Sequence, residues 1–298
     1  MTYRRQATGA LLGAMTVAAA VAGGGTASWS SGAGSVRGLA EIVGHACSGI
    51  WSALPPVLQI LLIISLAAGG VPLILWIGAA FRQWQTTRRL VQALDSLRDA
   101  IAPRRHELLE RLGLRSQVRI IRSARPFAMT AGLLRPRIFI STALLELLED
   151  DELEAVLLHE QDHLRHFDPL QVLMGKALST GFFFVPLIRA LIRRHQAAVE
   201  LAADEYAIAR QGGVVGLSAA VLKVLHSQEI VPAASGFGGM TNLRLSHLLN
   251  QPLALPAVSL RATFQSAGTL ALLAAPVTLA HGAVAFLAQA SFLFRCAV

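Results

Sequence analysis

The chain has 298 residues, 54% of them hydrophobic and 15% charged, with a mean hydropathy of +0.53, a net charge of +8 and a pI near 10.8. So apolar a balance argues against an ordinary cytosolic domain, and the two cysteines are too few for a disulfide framework or a thiolate zinc site. The basic residues, 24 of 26 being Arg, flank apolar runs without the aromatic-interleaved basic motifs of nucleic-acid binders, so no direct nucleic-acid binding is expected.

No formal charge lies between Arg5 and Arg37. The apolar part, about 7–27, is rich in Ala and Gly and follows Arg4-Arg5. It fits a cleavable signal peptide and also a first transmembrane helix; the retained helix is the reading adopted here. Residues 54–81 form the strongest apolar run, longer than the roughly 20 residues that cross a bilayer. Arg82, Arg88 and Arg89 follow it and place that end in the cytoplasm by the positive-inside rule. Residues 84–114 carry an amphipathic stripe of Leu90, Leu94, Leu97, Ile101, Leu108 and Leu112. The segments 118–123 and 136–141 alternate as strands, and 142–148 reads as a short helix.

The next element contains His159-Glu160-Gln161-Asp162-His163, a His-Glu-x-x-His motif. Leu153, Val156, Leu157 and Leu164 recur at helical spacing around it. Asp150 and Asp151 can cap the start of this helix, and Pro169 stops it after Asp168. Residues 170–192 are apolar again but include Lys176 and Arg189. Helices are expected over 195–210, 217–228 and 242–250, with a loop at 231–239. From Ala262 to Phe294 the chain is uncharged for 33 residues, and a third span is expected near 268–287. Cys47 and Cys296 would then share the oxidising, extracytoplasmic side, where they could form a disulfide.

The chemistry follows from spacing. Residues four apart on a helix share a face, so His159 and His163 can bind one Zn²⁺ through their imidazoles. Glu160, beside the first ligand, can act as the general base toward a zinc-activated water. A third ligand must come from another helix, and Glu200 is the candidate. Asp204, four residues on, can accept a hydrogen bond from the outer nitrogen of a ligand histidine. Glu205 is a weaker candidate, and Tyr206 and Arg210 are possible oxyanion donors. His166 is read as a surface residue and Asp168 as a brace for the helix end. His195, His226 and His247 have no partner at ligand spacing; His281, within the third span, reads as a helix–helix hydrogen-bonding residue.

Because His159 and Glu200 must meet at one ion, the chain between them would cross a membrane an even number of times. Residues 170–192 are too few for two crossings at roughly 20 residues each, so a buried or interfacial helix is expected there instead. The fold class expected is therefore a mainly α integral membrane protein. It has about three transmembrane helices and a cytoplasmic α+β zinc-peptidase domain. The divisions are an N-terminal membrane region at 1–81, the peptidase domain at 82–261 and a C-terminal helix with a short tail at 262–298. The central segment 82–261 holds 22 of the 26 basic and 17 of the 18 acidic residues.

Arg125-Pro126-Phe127-Ala128, Gly132 and Arg135-Pro136-Arg137-Ile138 precede the His-Glu-x-x-His helix with its Asp168-Pro169. The Glu200-x-x-x-Asp204 helix follows. In this combination the chain resembles the membrane metallopeptidases of the β-lactam-sensor (BlaR/MecR) type. More distantly it is similar to the HtpX and CAAX-prenyl-protease gluzincins. The resemblance implies a multi-pass protein of the cell membrane with a zinc endopeptidase on the cytoplasmic face. Such a protein would cleave itself or promote loss of a cytoplasmic transcriptional repressor in transmembrane signalling. Only Arg295 to Val298 follow the last apolar run, so the extracellular sensor domain of such receptors is not expected here. A substrate strand would lie against 136–141 as an edge strand. The rival expectations are a quality-control protease for membrane proteins and a non-catalytic transducer that binds a repressor.

Overall fold

A three-stranded sheet lies between the metal-motif helix on one face and a long N-terminal-half helix on the other. The computed structural model describes residues 2–23, 55–99, 103–227, 238–249, 251 and 255–295. In chain order the elements are α1 (Thr2–Gly23), α2 (Pro56–Ser96), α3 (Pro103–Arg111), β1 (Val118–Ile121), β2 (Ala128–Ala131), β3 (Arg137–Ser141) and α4 (Thr142–Leu147). These are followed by α5 (Asp150–Arg165), α6 (Asp168–Gly181), α7 (Pro186–Gln211), α8 (Val215–Ser227), α9 (Gly238–Leu248) and α10 (Leu260–Arg295). The linker with Cys47, the C-terminal Cys296 and the side chain of His281 lie outside the described residues.

The sheet has the order β1-β3-β2, with β1 parallel and β2 antiparallel to β3. Period-two alternation sends Val118, Ile138 and Ile140 to one face, where they pack with Leu144, Leu148, Leu153 and Leu157. Ile121, Phe139 and Ala131 take the other face and meet Val91 and Leu94 from the end of α2. The helical stripe read over 84–114 is thus interrupted: α2 ends at Ser96 and α3 starts at Pro103, while Leu108 and Leu109 enter the core. The strand β2 was not expected from sequence. Its four residues, Ala-Met-Thr-Ala, have little alternation or β-branching to announce them. Gly132 closes the turn after it at φ 103°, and a Cβ there would come within 2.9 Å of the Arg135 carbonyl.

Two further sequence expectations change. The edge strand was placed at 136–141, but β3 is the central strand. The apolar segment 170–192 is also not one helix. Phe182 to Val185 turns the chain between α6 and α7, and Pro186 opens α7 at a position where its missing N–H costs nothing. Phe182 itself is buried with Ala14, Ala18, Leu178 and Ile188.

The expected fold class of an integral membrane protein with three transmembrane helices is corrected. Among the described residues, no helix is long and apolar enough to cross a membrane. Lack of charge was read as contact with lipid, but one face of each of these helices meets protein, while Ile60, Ile63, Leu66 and Ile74 of α2 and Phe264 and Leu272 of α10 stay exposed. In α1, Ala7, Ala10, Ala14 and Ala18 recur every three or four residues and are buried. They pack on α7 through Ala198, Val199, Ile188 and Ile192. In α2, Pro72 and Trp76 press on Gly181 of α6 so closely that a Cβ there would lie 2.6 Å from Trp76. In α10, buried Ser266 accepts a hydrogen bond from the Leu187 N–H at 3.0 Å, which satisfies a free donor at the start of α7.

Candidate metal centre

The first turn of α5 is tied down by its own sequence. The Glu149 N–H donates to the Glu152 carboxylate at 2.9 Å, and Lys223 of α8 donates to the same carboxylate at 2.7 Å. Glu149, not Asp150 or Asp151, is therefore the capping residue. Leu153 and Leu157 bury one side of the helix against the sheet, and Ala155 and Leu158 bury another against α7 and α8. That packing fixes the rotation of α5 and turns His159, Glu160 and His163 toward α7, β2 and α1.

The two imidazoles meet at one point. His159 Nε2 and His163 Nε2 are 3.1 Å apart. Glu200 of α7 faces the same point, with Oε2 at 3.7 Å from His159 Nε2 and Oε1 at 3.9 Å from His163 Nε2. All three residues can each place one ligand atom within 4.8 Å of the others. The outer nitrogens are engaged elsewhere. His159 Nδ1 lies 2.9 Å from Asp204 Oδ1, and His163 Nδ1 lies 2.8 Å from Asp168 Oδ2. When each Nδ1–H donates to its carboxylate, both Nε2 lone pairs point at the shared space. A divalent cation that displaces the proton shared by the two Nε2 atoms would meet two lone pairs and a carboxylate, a donor set that suits it. Nitrogen and oxygen donors in a set of three leave a fourth position open, as in catalytic zinc sites.

The surrounding charge points the same way. Glu160, Asp162, Asp168, Glu200 and Asp204 place five carboxylates around the centre, against the guanidinium groups of Arg4 and Arg244. Burial disfavours a charged His163. The hydrogen bond to Asp168 and the carboxylates of Glu200 and Glu160 outweigh it, and the metal-free imidazole is pushed up to about 9. Asp204 is fully buried, which alone would raise its pKa. Arg244 and the His159 hydrogen bond prevail and hold it at about 2. Arg244 itself stays protonated despite burial, because Asp204, Glu200 and Glu160 all face it.

Glu160 is buried, and its Oε2 accepts a hydrogen bond from Thr130 Oγ1 of β2 at 2.7 Å. The same hydroxyl lies 3.1 Å from the Glu160 carbonyl oxygen. Asp168 sits at the start of α6 because Phe167 adopts a left-handed conformation (φ 54°) and bends the chain back toward His163. Thus Asp168 braces a histidine and not only a helix end.

The remaining sequence candidates fall elsewhere. Tyr206 is engaged by Gln161 at 3.0 Å and by Arg165 at 2.6 Å, and Arg210 lies over its ring, so these residues join α5 to α7. Glu205 is not part of the metal group. His166 is half-exposed and its Nδ1 bonds the Asp162 carbonyl at 2.8 Å. His195 is buried and its Nδ1 donates to the Ala7 carbonyl at 2.8 Å. Sequence reasoning missed Thr130, Arg4 and Arg244. None of them stands at a fixed spacing from the motif, so only the fold brings them in.

The model of the BlaR1 peptidase M56 family matches residues 45–241, about two thirds of the chain. This protein belongs to the BlaR1 peptidase M56 family. M56 peptidases are metallopeptidases, and the His159–His163–Glu200 group lies within the matched segment. The resemblance found in the motifs is the same family. No curated protein matches the chain.

Proposed function

We propose that this M56 protein is a zinc-dependent endopeptidase in which His159, His163 and Glu200 hold the metal and Glu160 is the general base. The observation that carries the reading is the convergence of both Nε2 atoms and the Glu200 carboxylate, with each histidine backed by an aspartate. A bound Zn²⁺ supplies Lewis-acid polarisation of the scissile carbonyl and acidifies a water. Glu160 takes the proton from the attacking water and passes it to the leaving amine. The Thr130 hydroxyl holds Oε2 of Glu160, which leaves Oε1 for the proton. Asp204 and Asp168 keep the two imidazoles in the tautomer that presents Nε2.

The substrate is proposed to add as a strand to the outer edge of β2. The outer edge of β1 is taken by the segment after α2, where the Asp99 N–H donates to Ile120 and the Arg122 N–H to Leu97. The edge of β2 remains, and Thr130 ties that strand to the general base. The proposed role is regulatory: cleavage of the chain itself or of a transcriptional repressor. What supports this part is the family alone.

The test is Glu160→Gln in zinc-loaded protein. Zinc should remain bound at one per chain, while self-cleavage and hydrolysis of an unfolded protein substrate should fall by about 10²–10⁴, the range for loss of a positioned acid–base group. Cleavage at the wild-type rate would refute the assignment. Mass spectrometry of self-cleavage fragments locates the sites.

A further inference from the structure

Each ligand histidine heads a chain of three residues that ends in an arginine. One chain is His159–Asp204–Arg244, closed by contacts of 2.9 Å and 2.7 Å. The other is His163–Asp168–Arg4, closed by contacts of 2.8 Å and 2.7 Å. The second arginine comes from the first turn of α1, 164 residues away from Asp168 in the chain. Both arginines lie outside the segment 45–241 that matches the family.

Arg4 grips Asp168 with both prongs of its guanidinium. Nη1 donates to Oδ1 at 2.7 Å and Nη2 to Oδ2 at 2.8 Å, and Nη2 also pairs with Asp162. Asp162 and Asp168 are both buried, so these two neighbouring carboxylates need an opposite charge in place. Gln171 contributes only a neutral amide to Asp168, at 3.0 Å. The position of Arg4 is set by the docking of α1. Ala7, one turn on, is buried against Ala198 and Val199, and its carbonyl takes the hydrogen bond from His195. Small side chains on that face let the two helix backbones approach closely enough for this bond. With Ala7 so placed, Arg4 projects toward the start of α6.

We infer that Arg4 is a positioning residue for the metal centre: through Asp168 it orients His163, so that the docked helix α1 is part of the apparatus that sets zinc affinity. This rests on the proposed zinc reading. Without Arg4, two buried carboxylates lose their shared cation, and Asp168 is free to turn from His163 Nδ1. Partners of ligand histidines typically contribute 10–100-fold in metal affinity, and Arg4 acts one step further out, so a loss of about tenfold is expected.

The experiment is zinc affinity of the full chain by competition with a chromogenic chelator, with no reliance on turnover. Arg4→Gln should weaken zinc by about tenfold, and Arg4→Lys by less, because the ammonium keeps the charge but not the two-pronged grip. Arg5→Gln, an exposed neighbour on the same turn, should bind as wild type. In an Asp168→Asn background, Arg4→Gln should have almost no further effect, whereas a merely structural role would lower affinity again by the full factor. Wild-type affinity in both Arg4 variants, or additivity with Asp168→Asn, overturns the inference while leaving the zinc reading intact. If Arg4→Gln does not fold, the Arg4→Lys and Asp168→Asn cycle decides. A wild-type chain that binds no zinc overturns both.

Discussion

Asp204→Asn isolates the contribution of one buried carboxylate that touches no substrate. Asp204 is inaccessible to solvent and accepts from His159 Nδ1 at 2.9 Å and from Arg244 at 2.7 Å and 3.1 Å. The amide keeps the shape, loses the charge, and turns one acceptor into a donor that faces another donor. Two routes give the size of the effect. The carboxyl is held at about 2 against an ordinary 3.8, a difference that corresponds to about 2 kcal/mol in favour of the ionised form. Removing one partner of a buried ion pair typically costs about 3–5 kcal/mol, and Asn retains part of the hydrogen bonding. A loss of about 2–4 kcal/mol is therefore expected in metal-free protein. For a chain of this size that lowers Tm by roughly 3–6 °C. Zinc affinity should fall by about 10–100-fold because His159 loses its orienting partner.

The pH dependence has a definite sign. The folded-state pKa of Asp204 is depressed, so its stabilisation is fully present above about 3.8 and is lost as pH falls through about 2. Urea unfolding of wild type and Asp204→Asn across pH 2–6 should give curves that differ by the full amount at the upper end and converge at the lower. The reasoning is refuted if the variant unfolds at the wild-type urea midpoint at pH 6, or if the difference stays constant down to pH 2.

Two other substitutions test different parts of the site. Thr130→Val preserves shape but removes the hydroxyl that holds Glu160 Oε2; kcat should drop by about tenfold, the equivalent of one hydrogen bond, with zinc stoichiometry unchanged in metal analysis. Gly132→Ala forces a side chain into φ 103° and against the Arg135 carbonyl at 2.9 Å, so thermal unfolding should report a loss of about 1–3 kcal/mol and peptide cleavage should weaken as β2 shifts.

The candidate metal group was readable because its residues obey helical spacing. His159 and His163 are four apart, as are Glu200 and Asp204, and such pairs share a face whatever the rest of the chain does. The helix around the motif, the parallel strands β1 and β3 and the family resemblance rest on equally local signals. Failures arose where a local signal has more than one cause. An uncharged run reports that a helix packs against something apolar and is silent on what that is. The alanines of α1, the Trp76–Gly181 contact and Ser266 of α10 meet protein, whereas many large apolar side chains of α2 and α10 stay exposed. Four residues of β2 carried no pattern, and without β2 the central strand β3 was mistaken for an edge.

Residue type and spacing therefore singled out the candidate donor residues, the proposed general base and an aspartate for one of the histidines, because each pair follows from the geometry of its own helix, while which histidine Asp204 backs came only from the packing of α5 on α7. The tertiary structure alone decided what locks that chemistry in place. Arg4, Thr130 and Arg244 come from α1, β2 and α9, at separations of 164, 30 and 40 residues from the carboxylates they hold. No periodicity encodes such distances. They result from how the alanine face of α1 and the edge of the sheet pack around α5 and α7, and that packing is a property of the whole chain.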